Sequence, residues 1–437
     1  MRTQGPATEF PSDARPLPAE DSVAVGALLK DTAMLVAWVK EHNRDLRAAA
    51  ARVRQTAADA AQSRLLPNPT LSGSLSDVTV GETNPPGLHS SQTTILGGAL
   101  SETIEVGKRG PRIAGARLRL DSERQAYLDA LVQKAADSRY ALGRVVYLKT
   151  RQSVLEESFG AARQNVELQR SRAQNGDLSG NDFDRLLVDT MILESEVAGN
   201  RQEYAEASAA CGALLFAPCA VGDADIAALV AAAPVPESPD IESALDKRPD
   251  LRALALGEEA SRKDALLARR RRIPDPNLSV GYTHDNLTIS GDQPNTLTFS
   301  LAIPLPLFDR GQHDAAKAGQ HAMELDQTAQ AMRARGRADA SSLIQRRAFL
   351  EATLGTLQAE AVPKSTGVLE ATQNAVNQGG MSMTDLLLTR RTHTELLLKV
   401  MDLQFDLFTV HNDLRRALGL DAEAVGQAGD APLEVTP

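Results

Sequence analysis

The chain carries two similar stretches of nine residues: Arg64-Leu65-Leu66-Pro67-Asn68-Pro69-Thr70-Leu71-Ser72 and Arg271-Arg272-Ile273-Pro274-Asp275-Pro276-Asn277-Leu278-Ser279. The sequence Asp-Leu-Arg-Ala precedes both copies, starting at Asp45 and at Asp250. The copies lie about 200 residues apart, which is far longer than a solenoid repeat and indicates tandem duplication of a domain-sized unit.

Two further pairs follow the repeated stretch in the same order. Arg109-Gly110 corresponds to Arg310-Gly311, and the segment 175–183 corresponds to 378–386. The offset stays near 200 residues in each case. We therefore expect one fold with two similar halves.

Each half predicts the same order of elements. The Ala-rich run 27–66 contains helix-forming residues and no proline, and Pro67 and Pro69 end it. Alternation of apolar and polar residues predicts strands near 70–80 and 92–106, and a second hairpin over 277–307. These strand stretches, about 10 to 13 residues each, are long enough to cross a hydrocarbon layer. Apolar residues spaced by three, four and seven predict long helices over 112–172 and 183–216, and over 312–376 and 386–418.

These elements predict a mainly α fold with a β part and five segments. Residues 1–26 are expected to be disordered, and 27–216 form the first repeat with the hairpin 70–106 and the helical hairpin 112–216. Residues 217–240 are a linker rich in proline. The second repeat, 241–420, contains the hairpin 277–307 and the helical hairpin 312–418, and 421–437 form a disordered tail.

Composition restricts the classes of partner and the location. Aromatic residues make up only 3% of the chain and hydrophobic residues 42%, which favours slim helices over a thick globular core. The net charge of −10 argues against a nucleic-acid partner. No apolar run is long enough for a transmembrane helix, although strands could still cross a bilayer. The first 26 residues show no signal peptide, which fits either a cytosolic protein or a leader missing from the sequence.

The turn between the two long helices of each half contains the candidate site residues. In this Gly-x-Leu/Met-Ser-x-x-Asp motif the serine can cap the returning helix, and the aspartate lies favourably in its first turn. Turn geometry alone also accounts for these residue types. The candidates are Gly176, Ser179, Asp182, Gly379, Ser382 and Asp385.

The chain resembles the TolC-type outer-membrane efflux proteins. The resemblance rests on the segment 303–312, which reads Ile-Pro-Leu-Pro-Leu-Phe-Asp-Arg-Gly-Gln, on Arg-Pro-Asp-Leu at 248–251, and on the Pro-Asp/Asn-Pro-x-Leu entries to both hairpins. It extends over about residues 27–420. Many relatives carry an N-terminal lipidation site, which this sequence lacks.

This resemblance implies a homotrimer in which each chain gives four strands to a shared twelve-stranded barrel and its helices to a periplasmic tunnel. Such a protein is a passive export conduit in the outer membrane, in contact with membrane lipid. It would dock a periplasmic adaptor and an inner-membrane pump of the resistance-nodulation-division type, with the six candidate residues at the docking tips. The general composition is nearest to the branch that serves heavy-metal cation efflux. The competing hypothesis is a soluble helical coiled-coil scaffold.

The sequence gives no indication of an enzyme or a cofactor. Its seven histidines form no HExxH or Cys/His cluster, and no phosphate-binding or nucleophile motif occurs. Cys211 and Cys219 fit two buried thiols or a disulfide. Arg269 to Arg272 fit a favourable interaction with a helix C-terminus or a contact with anionic headgroups.

Overall fold

The structure is a computed structural model, and it describes residues 28, 31–83, 86–175, 179–219, 228–229, 234–287 and 293–422. The chain divides into two compact units. Among the described residues, we call the first the helical unit (up to Arg47, Leu128–Arg248 and 335–422) and the second the sheet unit (Ala48–Tyr127 and Pro249–Ala334). Each unit draws on both halves of the duplicated sequence.

Within the described residues, ten α-helices and four strands with defined ends follow one another in the predicted order. The elements are α1 (Thr32–His42), α2 (Arg44–Gln62), β1 (Thr70–Ser76), α3 (Ser90–Thr93), β2 (Ile95–Thr103), α4 (Arg109–Gln174), α5 (Gly180–Leu215), α6 (Ile241–Lys247), α7 (Pro249–Arg270), β3 (Asn277–Asp285), β4 (Asn295–Ala302), α8 (Gln312–Thr356), α9 (Val362–Asn377) and α10 (Met383–Ala417). The predicted mainly helical fold with four strands is confirmed.

The first predicted helix is in fact two helices. The backbone of Asn43 is extended, and its side-chain oxygen accepts hydrogen bonds from the N–H groups of Asp45 (3.0 Å) and Leu46 (3.2 Å). Asn43 therefore caps α2 where the sequence predicted a continuous helix, because an asparagine side chain competes for free backbone donors at a helix start. The Asn43 amide also donates to Leu214 O at 3.2 Å.

The strands form one antiparallel sheet in the order β1-β2-β3-β4. The register pairs Leu71 with Leu100, Leu100 with Val280, and Val280 with Phe299. The two hairpins, which are remote in sequence, thus join through β2 and β3.

The strands are shorter than the sequence predicted. They contain 7, 9, 9 and 8 residues, where we expected about 10 to 13. Asp77, with φ 54°, follows the end of β1, and the short helix α3 occupies residues predicted as the start of a strand. At the end of β3, the Asp285 carboxylate accepts the N–H of Leu287 at 2.9 Å and so supports a turn.

Long helical seams supply the core of the helical unit. Leu350, Leu354, Val400, Leu403, Leu407 and Val410 form one buried cluster, and Ala244, Ala340, Leu414 and Leu418 form another. The predicted heptad-like spacing in α10 therefore faces a core. Gly143 lies in α4, and a Cβ atom there would be 2.2 Å from Cε1 of the buried Phe408 in α10. Only glycine therefore permits α4 to pack against this ring.

The predicted helix over 312–376 contains a π-helical turn, Leu357–Ala361, between α8 and α9. Pro363 follows directly in the first turn of α9. Because proline has no N–H and its ring clashes with the carbonyl four residues earlier, an α-helix cannot continue unchanged through this position. The wider turn accommodates the proline without ending the helical path.

Cys211 and Cys219 are joined by a disulfide bond that spans the C-terminus of α5. Of the two alternatives left open by the sequence, the structure therefore has the disulfide. Leu215 ends the helix, and Phe216 has a left-handed backbone with φ 55°. None of the helices in the described part of the chain has a stretch that is long and apolar enough to cross a membrane.

Candidate functional site

The turn between α9 and α10 is closed at both ends by hydrogen bonds. Gly379 has φ 77°, its N–H reaches Val376 O at 3.0 Å, and the N–H of Gly380 reaches Ala375 O at 2.8 Å. This pair of bonds is the Schellman pattern that ends a helix. On the other side Ser382 Oγ accepts the N–H of Asp385 at 3.2 Å, and the Asp385 carboxylate accepts the N–H of Ser382 at 3.2 Å.

The corresponding turn before α5 is built differently. Ser179 is the N-terminal cap residue, but its side chain makes no capping hydrogen bond. Its carbonyl accepts the N–H groups of Asp182 and Phe183, both at 3.1 Å. Side-chain capping is therefore confirmed for Ser382 and wrong for Ser179. Gly176 lies outside the described residues.

The sheet has one apolar and one polar face. Because alternate residues of a strand point to opposite sides, the observed register places ten large apolar side chains on one face, with exposed fractions from 45% to 81%. They are Leu71, Leu75, Leu96, Leu100, Leu278, Val280, Tyr282, Leu297, Phe299 and Leu301. The opposite face carries mainly serine, threonine, glycine and alanine. Such a sheet suits contact with an apolar medium on one side and water on the other.

The segments that join the sheet to its helices meet through a second set of contacts within the sheet unit. Lys108 Nζ lies 2.6 Å from the Asp275 carboxylate, which also accepts the N–H of Val106 at 2.9 Å. Burial alone would raise the pKa of Asp275, but these two hydrogen bonds and the Lys108 charge lower it. The carboxylate thus stays charged and ties β2 to β3 at their ends.

Two glycines give this junction its backbone shape. Gly107 and Gly311 both have φ 71°, just before α4 and α8. Gly110, which the sequence pairs with Gly311, lies instead in the first turn of α4 with open space around it. The structural counterpart of Gly311 is therefore Gly107, a correction that only backbone angles could supply.

A buried ion network fixes the chain beyond α10. Asp421 is fully buried between Arg139 (2.9 Å) and Arg415 (2.6 Å), and Arg139 also donates to Asn412 Oδ1 at 3.0 Å. Burial would raise the pKa of Asp421, but the two arginine charges outweigh it and lower that pKa. The sequence pattern does not predict this network, and it assigned Asp421 to a tail expected to be disordered. No local sequence pattern predicts the network, because the partners of Asp421 lie up to 282 residues away in the chain.

A cavity of about 340 Å³ opens among α4, α5, α9 and α10 within the helical unit. Its lining includes Arg390, whose guanidinium donates to Gln373 Oε1 at 2.7 Å, and His393, which lies 3.0 Å from the Ser365 hydroxyl. Burial lowers the pKa of Arg390. No group of three or more His, Cys, Asp or Glu side chains within the described residues could hold a metal ion.

Comparison with known proteins gives three kinds of result. Residues 241–420 match the family model of the outer membrane efflux protein. No curated protein sequence matches the chain. Several solved structures share its fold over almost their whole length.

Three of these structures illustrate the likeness. CusC, a protein whose structures describe folding and transmembrane channel formation, superposes with a TM-score of 0.75 at 16% identity, over 96% of this chain and 98% of its own. VceC, an outer membrane protein of Vibrio cholerae, gives 0.71 at 19% identity over 89% and 96%. The MtrE outer membrane channel of Neisseria gonorrhoeae gives 0.70 at 17% identity over 89% of each chain.

The family match and the shared fold agree with the elements described above, and this family consists of efflux proteins and not of enzymes. The resemblance inferred from the repeated strand entries and the segment 303–312 is confirmed. This chain contains an outer membrane efflux protein domain and has the fold of the outer-membrane efflux channels.

Proposed function

We propose that this protein is the outer-membrane channel of a tripartite efflux system, a passive conduit whose energy comes from a partner pump. The observation that carries the proposal is the sheet, with its exposed apolar face on one side and small polar side chains on the other. A water-filled path through a membrane requires this combination. The match of residues 241–420 to the efflux family supports the same role.

The unpaired edges of the sheet support a homotrimer. Strands β1 and β4 lie at the ends of the sheet order, so each has one side without a strand partner among the described residues. Unpaired backbone N–H and C=O groups are costly in an apolar medium, and pairing with a neighbouring copy removes that cost. Three copies would supply twelve strands and close the sheet into a barrel, with the long helices as a periplasmic tunnel.

The helix turns at 176–182 and 379–385 are the proposed docking tips for the adaptor, which would connect the channel to a resistance-nodulation-division pump. The capping box of Ser382 and Asp385 gives the second tip a defined backbone for recognition. Asp182 offers a carboxylate at the first tip. The net charge of −10 and the resemblance support a cationic cargo, with heavy-metal cations as the proposed class.

Two measurements test this function. Expressed from its natural upstream region, the protein should be found in the outer-membrane fraction and migrate as a trimer on unheated gels. In planar bilayers the purified protein should conduct ions without an energy source. A soluble monomer would contradict the channel and favour the coiled-coil scaffold.

Docking is tested at a tip by Asp182→Lys, with Asp59→Lys on the exposed face of α2 as the matched control. The tip variant should lose adaptor pull-down and efflux in a strain that depends on this channel, while its conductance stays normal. The control should keep all three. Equal adaptor binding by both variants would place docking elsewhere.

A further inference from the structure

One end of the sheet carries a concentration of positive charge that the channel function does not by itself require. Four connecting segments meet there: 64–69, 104–112, 269–276 and 303–314. They contain nine arginine and lysine side chains and four carboxylates, a local charge of +5 in a chain of net charge −10. We call these segments the basic belt.

Hydrogen bonds and close contacts bring the basic belt together within the sheet unit. The N–H of Ile104 donates to Pro276 O at 2.9 Å, and the Arg109 guanidinium donates to Arg64 O at 3.0 Å. Arg271 pairs with Asp314 across two of the segments. The charges are thus neighbours in space and not only in sequence.

Ion pairs inside the basic belt leave several of its cations uncompensated. Three of the four carboxylates pair with Lys108, Arg112 and Arg271. The fourth, Asp309, accepts the N–H of Gly311 at 2.8 Å. Exposed arginines without a carboxylate partner among the described residues remain on all sides of the junction: Arg64, Arg109, Arg269, Arg270, Arg272 and Arg310.

Exposed apolar side chains lie among these arginines. Phe308 is 91% exposed and Leu305 72% exposed, both within a few residues of Arg310. Leu65 and Leu66 stand beside Arg64 and are more than half exposed. The apolar residues continue into the apolar face of the sheet through Ile303 and Leu301. Arginines at the border of an apolar surface are suited to the boundary between hydrocarbon and anionic headgroups.

We propose that the basic belt is a binding surface for anionic phospholipid at the periplasmic boundary of the membrane. The lipid phosphates would lie against the uncompensated arginines, and the acyl chains against Phe308, Leu305 and the sheet face. The helix dipole at the end of α7 explains why cations are tolerated at Arg269 and Arg270, but not why further cations stand at the other three segments. The inference rests on the proposed channel function, since it requires the sheet to lie in a membrane.

The test compares the purified full-length protein with Arg269→Gln/Arg270→Gln/Arg272→Gln. Each protein is equilibrated in detergent micelles containing equal phosphatidylglycerol and phosphatidylcholine, and the retained lipids are quantified. A cation near an anionic surface contributes roughly fivefold in affinity, equivalent to about 1 kcal/mol. We expect the wild-type protein to prefer phosphatidylglycerol, and the triple variant to lose at least about tenfold of that preference.

The matched control is Arg44→Gln/Arg52→Gln/Arg54→Gln, which removes the same charge from exposed positions of α2. It should retain the wild-type preference. A salt series on the wild-type protein gives an independent readout, because the preference should fall with ionic strength if exposed charges cause it. This readout keeps the test valid if the triple variant does not fold.

The outcomes separate this inference from the channel function. Membrane-embedded trimers without a preference for phosphatidylglycerol would overturn the lipid surface and leave the channel intact. Loss of the trimer in the belt variant, but not in the control, would identify the basic belt as a subunit contact and would also overturn the proposal. A wild-type protein that is not found in the membrane would refute the channel function itself.

Discussion

Replacement of Gly311 by alanine should destabilise the protein strongly, although the same change at its sequence counterpart Gly110 should not. Gly311 has φ 71°, and an added Cβ would lie 2.1 Å from Ala268 O. The left-handed backbone costs a non-glycine residue about 1–2 kcal/mol. Relief of the overlap requires backbone movement at the end of α7, at a further cost of about 1–3 kcal/mol.

Two other glycines divide this effect into its parts. Gly107→Ala has the same φ of 71°, but its Cβ would meet only the flexible end of Arg270 at 3.8 Å. It should therefore show the backbone cost alone, about 1–2 kcal/mol. Gly110→Ala has no neighbour within 4 Å and lies in a helix, so it should be neutral or stabilising by up to about 1 kcal/mol.

The assay is the apparent melting temperature of the detergent-solubilised protein, followed by loss of helical circular dichroism. We expect the order Gly110→Ala, then wild type, then Gly107→Ala, with Gly311→Ala lowest by several degrees. A melting temperature of Gly311→Ala equal to that of Gly110→Ala would refute the assignment of the strained turn to Gly311.

Four further variants test the helical unit. Cys211→Ser should lower stability by about 2.5 kcal/mol, the chain-entropy value for a separation of eight residues, and two reactive thiols in the untreated wild-type protein would contradict the disulfide. Asp421→Asn should cost about 3–5 kcal/mol in urea unfolding, because it leaves the buried Arg139 and the partly buried Arg415 without their anion. The pKa of Asp421 is lowered in the folded state. The contribution of its carboxylate to the free energy of unfolding should therefore be complete above the unfolded-state pKa of about 3.9, and it should disappear as the pH falls through the folded-state pKa. Urea unfolding of the wild type and of Asp421→Asn over a series of pH values measures this difference. Ser382→Ala should cost about 1 kcal/mol and Ser179→Ala almost nothing, and equal melting temperatures of the two variants would show that the capping bond is unimportant.

Local patterns explain where sequence-based prediction succeeded. Helices and strands were predicted correctly because the apolar spacing in α10 and the alternation in β3 and β4 repeat over many residues. Their boundaries were less accurate. A single residue such as Asn43 or Asp77 ends an element through its own backbone or side-chain geometry, which a repeating pattern does not contain.

The candidate tip residues likewise separate what a sequence pattern predicts from what only local geometry decides. The Gly-x-Leu/Met-Ser-x-x-Asp motif occurs in both halves, so the sequence predicts the same turn for the two copies. Only the second copy has the reciprocal hydrogen bonds between Ser382 and Asp385. Capping depends on a side-chain rotamer and on hydrogen-bond distances of about 3 Å, neither of which duplication guarantees.

By itself, the sequence determined that the protein is duplicated, mainly helical and furnished with two strand pairs, because repetition and periodicity are properties of neighbouring residues. Only the tertiary structure decided that Gly107 and not Gly110 corresponds to Gly311, that β2 pairs with β3, and that Asp421 lies between two arginines. It also brought four separate arginine-containing segments into the basic belt. Each of these depends on which remote residues come within a few ångströms of each other, and packing of the whole chain sets those distances.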